Sequence, residues 1–363
     1  MKKILILSHT RSISTFKIGS HHYANELQKK DNQVSFAGIP YSLIHWMLRR
    51  KKKSGSKKIN ENINDVEIKA LFPITIKYNS FLSKLNFLVM RMFTRGDFFD
   101  KHYDVIICDT PFFEPYIKGM KYSKLIYRPT DDYLSIAGES VREYENKIIN
   151  KADCVISTSS VVQDNILKNY QDSIVGKVCN VIENGYDSRV FFNKNKGYRE
   201  NAVYVGALDF RFDFDMLSFL SGERPNFIFN IFGPIDEKYK AIVEEIKDKN
   251  KNVIFHGEID YENVCDILNE NKVGLLLFNS AQANVGRSPM KLWEYLSSGL
   301  NVMYSNINLN ESIDFIYKYN DKKDIAHVFD KAISNDRSAS TDEGNIDKYS
   351  WEHKANALSK YFS

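Results

Sequence analysis

The chain has 363 residues, a length that predicts about two domains. Its apolar fraction of 43% and aromatic fraction of 13% exclude a disordered chain, and no run approaches the roughly 20 apolar residues of a membrane span. The net charge of +4 is mild, and beyond one basic segment there is no stripe or reader motif of a nucleic-acid binder.

Met1-Lys2-Lys3 followed by Ile4–Leu7 is too short for a signal peptide and reads as a first buried strand. His9, Ser12, Ser14, Thr15, Lys17 and Gly19 form the loop after it, and His21 and His22 open a helix reaching about Lys30. A strand at Gln33–Ala37 follows. Arg49-Arg50-Lys51-Lys52-Lys53 and Lys57-Lys58 then put seven positive charges into ten residues, between the apolar stretches Tyr41–Leu48 and Phe81–Phe93. Basic clusters beside aromatic and aliphatic residues suit an anionic membrane surface; a solvated loop next to ordinary core helices fits equally.

Further strands are expected at Val105–Cys108, Lys124–Tyr127, Cys154–Thr158 and Val178–Ile182, with helices at Ser140–Lys151 and Val161–Asn169. Alternating β and α with near-continuous apolar strands predicts an α/β fold with parallel sheets covered on both faces. Asp131 and Asp132 follow the strand ending at Tyr127. Adjacent acids at a strand's carboxyl end can supply a general base, or one can cap the next helix. Asp109 and Glu114 can line the acceptor side, and are read more readily as caps of the next helix. Cys108, Cys154, Cys179 and Cys265 show no Cys-x-x-Cys spacing, which predicts a reducing compartment without disulfides or zinc.

Glu183-Asn184-Gly185-Tyr186-Asp187 reads as the exit from a first domain, after which the pattern restarts. Strands are expected at Ala202–Val205, Phe227–Phe232, Val253–His256 and Val273–Phe278, and helices at Tyr239–Lys247 and Tyr261–Asn269. Asp213-Phe214-Asp215 resembles a metal-binding triplet, but acids at a helix start are favoured by the dipole alone. The most informative stretch is Ser288–Val302. A loop leads from Val273–Phe278 to a helix beginning at Pro289, with Lys291 in its first turn, Glu294 on nearly the same face and Gly299 ending it. A helix N-terminus with a lysine suits a phosphate. An amphipathic helix with two surface charges is the alternative. The expected organisation is an N-terminal Rossmann-like domain over 1–187, a second over 188–345, and a C-terminal helix over 346–363 crossing back to the first.

This layout resembles the GT-B glycosyltransferases. The resemblance rests on Glu183–Asp187 with Phe191, Tyr204-Val205-Gly206, Ile231-Phe232-Gly233, His256-Gly257-Glu258-Ile259 and Ser288–Val302, and covers nearly the full chain. It implies two doubly wound domains facing across a cleft, with the acceptor on the first and the nucleotide sugar on the second. The commonest retaining branch has two glutamates eight residues apart; here Gly286 stands eight before Glu294, and Ala207-Leu208 follow Gly206 with Arg211 the nearby base. Met290-Lys291 with Glu294 is instead similar to the xanthan β-glucuronosyltransferase (GumK-like) family. That resemblance implies that Met290 and Lys291 hold nucleotide and diphosphate and that Glu294 holds the ribose or uracil side, with Glu258 a further pocket residue. It also implies a base at Asp131 or Asp132 and donor or acceptor contacts at His9, Ser14, Thr15 and Lys17. Arg211 and Arg287 are candidates to meet the carboxylate of a uronic acid.

The function these residues predict is inverting, metal-independent transfer from a UDP-sugar to a lipid-linked or polysaccharide acceptor. The expected place is the cytoplasmic face of a membrane reached through Arg49–Lys58, with no cofactor and no nucleic-acid partner. A retaining transferase, a UDP-sugar epimerase or a non-catalytic nucleotide-sugar-binding module are the alternatives.

Overall fold

Each stretch of strand–helix alternation closes into its own parallel sheet. The computed structural model describes residues 1–13, 17–48, 61–94, 96–194, 197–281, 284, 286–309, 313–337 and 346–363. Ser14, Thr15 and the basic segment Arg49–Lys58 lie outside the described residues.

The chain divides into two units, Met1–Glu183 with Trp351–Ser363, and Asn184–Ser350. The sequence reading put these borders at 187/188 and 345/346. Asn184 and Tyr186 are hydrogen-bonded within the second unit, to Ser288 and to the Tyr349 carbonyl, which moves the first border back. Trp351, opening the last helix (Trp351–Ser359), stacks on His22 at 5.0 Å and meets Tyr23 edge-on within the first unit.

The first sheet contains β1 (Lys3–Ser8), β2 (Gln33–Gly38), β3 (Asn64–Asp65), β4 (His102–Cys108), β5 (Lys121–Tyr127), β6 (Cys154–Ser157) and β7 (Val178–Val181). Their order is β3-β2-β1-β4-β5-β6-β7 and every pairing is parallel. The second contains β8 (Glu200–Val205), β9 (Phe229–Phe232), β10 (Val253–Gly257), β11 (Asn271–Leu276), β12 (Asn301–Tyr304) and β13 (Ile316–Lys318), in the order β10-β9-β8-β11-β12-β13, again all parallel. Central strands are buried on both faces, as Ile4, Leu5, Ile6 and Leu7 show, so they read as unbroken apolar runs. The edge strands β3 and β13 carry two and three residues and escaped the sequence reading, because so few residues hold no periodicity.

In both sheets the strand order reverses beside the first strand: between β1 and β4, and between β8 and β11. Loops leaving the strand carboxyl ends at such a reversal are pushed to opposite faces and leave a crevice for ligands. The loops after β1, β4 and β5 carry His9, Asp109 and Asp131. The loops after β8 and β11 carry Gly206 and the approach to Lys291.

Candidate donor and acceptor sites

In the second unit the helix Met290–Ser297 starts behind Pro289, which adopts extended geometry as the residue before the first turn. Tyr295 fixes this helix to the sheet: its hydroxyl accepts from Val205 N at 2.8 Å, and its ring occupies the space that a Cβ on Gly274 of β11 would need. Asn184 holds the loop that enters the helix, donating from its backbone N to Ser288 Oγ (2.8 Å) and from Nδ2 to the Ser288 carbonyl (2.9 Å). The loop after β11 is tied to the segment after β8, because Asn284 Nδ2 and Asn279 N both donate to the Arg211 carbonyl.

These ties bring Lys291 against the end of β8. A Cβ on Gly206 would lie 2.7 Å from Lys291 Cε and 3.0 Å from Nζ, so glycine is what lets the ammonium lie on the strand end. Gly233 closes the floor: at φ +139° its missing Cβ would fall 1.8 Å from the Gly206 carbonyl oxygen. Burial lowers the Lys291 pKa, Glu294 opposes that, Arg287 and Arg211 push the same way as burial, and Asp209 opposes. Arg211 holds Asp209 with Nε 2.9 Å from Oδ1. The carboxyl of Glu294 is 8% exposed, pushed up to about 7 by burial against the pull of Lys291, and takes no hydrogen bond among the described residues.

The structure therefore brings Gly206, Arg211, Arg287, Lys291 and Glu294 into one electrostatically coupled cluster, with Met290 opening the same helix turn. Lys291, Arg211 and Arg287 lie within electrostatic reach of one another beside Asp209 and Glu294, a set of cations suited to a diphosphate. Glu258 is exposed after β10 and forms no hydrogen bond or ion pair with this cluster among the described residues. Asp213 caps the helix Phe214–Glu223, accepting from Met216 N at 2.9 Å. Among the described residues no three His, Cys, Asp or Glu side chains converge as a metal site.

In the first unit the strand ends gather His9, Asp109, Arg128, Thr130 and Asp131. Asp109 is neither a cap nor a surface group. It forms a bidentate pair with Arg128, Nε–Oδ1 2.8 Å and Nη2–Oδ2 2.6 Å, with both side chains buried. Such a pair is costly to break because either partner alone would be a buried, uncompensated charge. The guanidinium also lies 4.8 Å from the Tyr23 ring centroid. Thr130 Oγ1 donates to Asp131 Oδ2 at 3.0 Å and lies 3.4 Å from His9 Nδ1. Burial lowers the His9 pKa, opposed by Asp131 and Asp109 and assisted by Arg128.

Asp132 is differently employed. It caps the helix Tyr133–Ala137, accepting from Ser135 N (3.1 Å) and the Ser135 hydroxyl, and also takes Asn165 Nδ2 at 2.8 Å. Asp131 is left as the acid beside His9. Lys17 is exposed, and its charge lowers the His21 pKa. His21 is a structural group, its Nδ1 accepting from Ile18 N (3.1 Å) and its Nε2 2.9 Å from the Arg11 carbonyl, with burial lowering its pKa to about 4. Sequence reasoning missed Arg128, Asn184 and Asp209. The signal for Arg128 was a cation directly after an apolar strand; Asn184 stood in the junction motif Glu183–Asp187 without a site role, and Asp209 had no signal.

No family model matches the chain. The putative teichuronic acid biosynthesis glycosyltransferase TuaH of Bacillus subtilis is 21% identical over 191 residues, 49% of this chain, and the chain spans about half (47%) of that relative's length. Sucrose-phosphate synthase from Thermosynechococcus elongatus superposes with a TM-score of 0.70 at 13% identity, covering 99% of this chain and 98% of that one. Anabaena HepE in complex with UDP and glucose gives 0.66 at 12% identity, covering 99% of each chain. The lipopolysaccharide galactosyltransferase WaaB gives 0.63 at 16% identity, also covering 99% of each. The fold is GT-B. What these relatives share with the chain is that architecture; none of them singles out the GumK-like branch.

Proposed function

We propose that the protein is a glycosyltransferase that moves a sugar from a UDP-sugar to a hydroxyl of a lipid-linked saccharide or growing cell-envelope polysaccharide. The observation that carries this is the cluster at the second sheet's reversal, with Lys291 lying on Gly206 within electrostatic reach of Arg211 and Arg287 and beside a Glu294 that takes no hydrogen bond among the described residues. UDP and glucose in HepE support the donor class, and the teichuronic acid role in the name of TuaH supports an envelope polymer, including a uronic acid as the sugar.

In the proposed reaction the diphosphate rests on the cations and the start of the helix Met290–Ser297, and Glu294 accepts from nucleoside hydroxyls. The bond from the anomeric carbon to the UDP oxygen breaks while the acceptor oxygen bonds to that carbon. Asp131 takes the acceptor's proton, and the negative charge gathering on UDP is held by Lys291, Arg211 and Arg287. Transfer by this route inverts the anomeric configuration and needs no metal.

A second reading, retention, is favoured by one observation: Asp131 already accepts from Thr130, and Glu294 is the surviving glutamate of the retaining pair. The test begins with a thermal-shift panel of UDP-, GDP- and CMP-sugars, since a ligand at about 100 times its Kd stabilises the fold by about 2.7 kcal/mol. Stabilisation by UDP-sugars alone is expected, and none by any of the three classes would sink the donor assignment. The anomeric configuration of the product, read by NMR, decides between inversion and retention. Asp131→Asn is expected to abolish transfer while leaving the UDP-sugar shift intact.

A further inference from the structure

Two helices of the first unit present large apolar side chains to solvent. On helix Leu43–Met47 and just after it these are Leu43, Trp46 (69% exposed), Met47 and Leu48. On helix Ser80–Phe93 they are Phe81 (72% exposed), Leu88, Met92 and Phe93. The buried side chains of the longer helix, Ser83, Asn86 and Met90, follow the spacing i, i+3, i+7. Phe81, Leu88 and Met92, at i, i+7, i+11, run along the opposite side. The helix is thus apolar on the face turned away from its own core.

The two helices hang from one loop. Leu43 N and Ile44 N donate to the carbonyls of Ala70 and Leu71 (2.9 and 3.4 Å). Asn86 Oδ1 accepts from Leu71 N and Phe72 N (3.0 and 2.8 Å), and its Nδ2 returns a bond to the Phe72 carbonyl. Their exposed side chains therefore belong to one surface, of a kind that soluble monomers rarely leave uncovered.

Exposed lysines border this surface, and Glu61, Asp65 and Glu67 are the exposed acids in the segment between the two helices. Residues 68–96 contain Lys69, Lys77, Lys84, Arg91 and Arg95 and no acid, and residues 33–60 contain no acid either. Lys69, Lys77 and Lys84 are exposed, and Lys84 borders the Phe81–Met92 stripe, where a lysine can cover apolar surface with its stem and keep its ammonium at the polar boundary. Arg91 is paired with Asp100, and among the described residues Lys69, Lys77 and Lys84 form no ion pair. Among the described residues no helix is long and apolar enough to cross a membrane.

We propose that this face lies on an anionic lipid bilayer, with Trp46, Phe81, Leu88 and Met92 entering the headgroup boundary and Lys77 and Lys84 meeting the phosphates. The proposal goes beyond the sugar-transfer reading and stands without it.

Trp46 is its own probe, because the other two tryptophans, Trp293 and Trp351, are buried. The full chain is titrated with vesicles of phosphatidylcholine, with and without phosphatidylglycerol, following tryptophan emission and co-sedimentation. A blue shift with the anionic vesicles, weakened by salt, is the expected result. Phe81→Ser/Met92→Ser should weaken that partitioning by at least about tenfold. Lys77→Glu/Lys84→Glu should weaken it by about tenfold or more on anionic vesicles. All these side chains are exposed, so both variants should keep the parental Tm and the UDP-sugar thermal shift, which separates this result from the donor assignment. Absence of binding to either vesicle overturns the proposal. So does a dimer, seen by light scattering, that Phe81→Ser/Met92→Ser dissolves, since the face would then meet a second copy of the chain.

Discussion

Glu145 and Glu294 are two buried glutamates, one in each unit, and burial pushes both carboxyls up to about 7. Their surroundings differ. Glu145, 2% exposed, receives the Tyr127 hydroxyl at 2.6 Å and the Tyr170 hydroxyl at 2.8 Å. Each of its oxygens has a fixed donor, so it serves the core as a hydrogen-bonded strut. Glu294 lies next to a lysine and receives no such donors from the described residues. A displaced pKa thus marks burial in both places, and only the partner count separates a structural acid from one kept for a ligand. The same contrast holds for cations: Arg128 is locked to Asp109, whereas Lys291 lies among like charges.

The largest effect that would break this contrast is at Lys291. Lys291→Met is expected to lower kcat/KM for the donor by about 100- to 1,000-fold, the range for removing one preorganised charge partner of a leaving group. Its Tm in the absence of donor should stay level or rise, because a half-buried cation with like-charged neighbours is removed. A fall in Tm with unchanged turnover would make Lys291 structural.

Next comes Glu145→Ala, which strands two buried hydroxyls and opens a cavity; about 3 kcal/mol of stability should be lost in urea unfolding. Its donor affinity should match the parent. Glu294→Ala should do the reverse, losing about tenfold in donor affinity, or about 1.4 kcal/mol, with little change in Cm.

Titration gives a third comparison. Both carboxyls have folded pKa values of about 7 against the ordinary 4.5, so the folded state binds the proton more tightly. The stability from each is fully present below pH 4.5, is lost as pH rises towards 7, and is absent above it. The loss is at most about 3 kcal/mol per group. Glu145→Gln and Glu294→Gln should each flatten the fall of Tm between pH 4.5 and 7. Only Glu294→Gln should also remove a rise in donor affinity as pH climbs through 7; if Glu145→Gln does so as well, the two acids are not independent.

The smallest effect is expected from Asn184→Ala. Loss of its Nδ2 bond to the Ser288 carbonyl should raise the donor KM by about fivefold, the equivalent of one neutral hydrogen bond, at constant kcat. A change in kcat instead would place Asn184 in the chemistry rather than behind it.

Much of the fold was legible because parallel strands covered on both faces must be apolar throughout. Ile4–Leu7, Val105–Cys108 and Val273–Leu276 announce themselves for that reason. Boundaries moved by a few residues where hydrogen bonds outside the strand core decided them, as at Asn184. The helix Met290–Ser297 was legible from Pro289, Lys291 and Gly299, because helix ends and dipoles are local features. The setting of Lys291 was not. Gly206 precedes it by 85 residues, and only the pairing of β8 with β11 and the fit of Tyr295 beside Gly274 bring them together. Likewise Asp131 and Asp132 are equivalent as sequence. Their roles part because Asp132 meets the amide and hydroxyl of Ser135 and the side chain of Asn165, while Asp131 faces Thr130 and His9.

The sequence by itself determined two α/β units, their central strands and the residue types at the strand ends, since periodicity and caps act over a few residues. Tertiary structure alone decided which of those residues share a site, because strand order fixes where the reversal in each sheet falls. It alone set the Glu145 carboxyl against two tyrosines and left that of Glu294 open, because partners supplied from distant elements are chosen by packing.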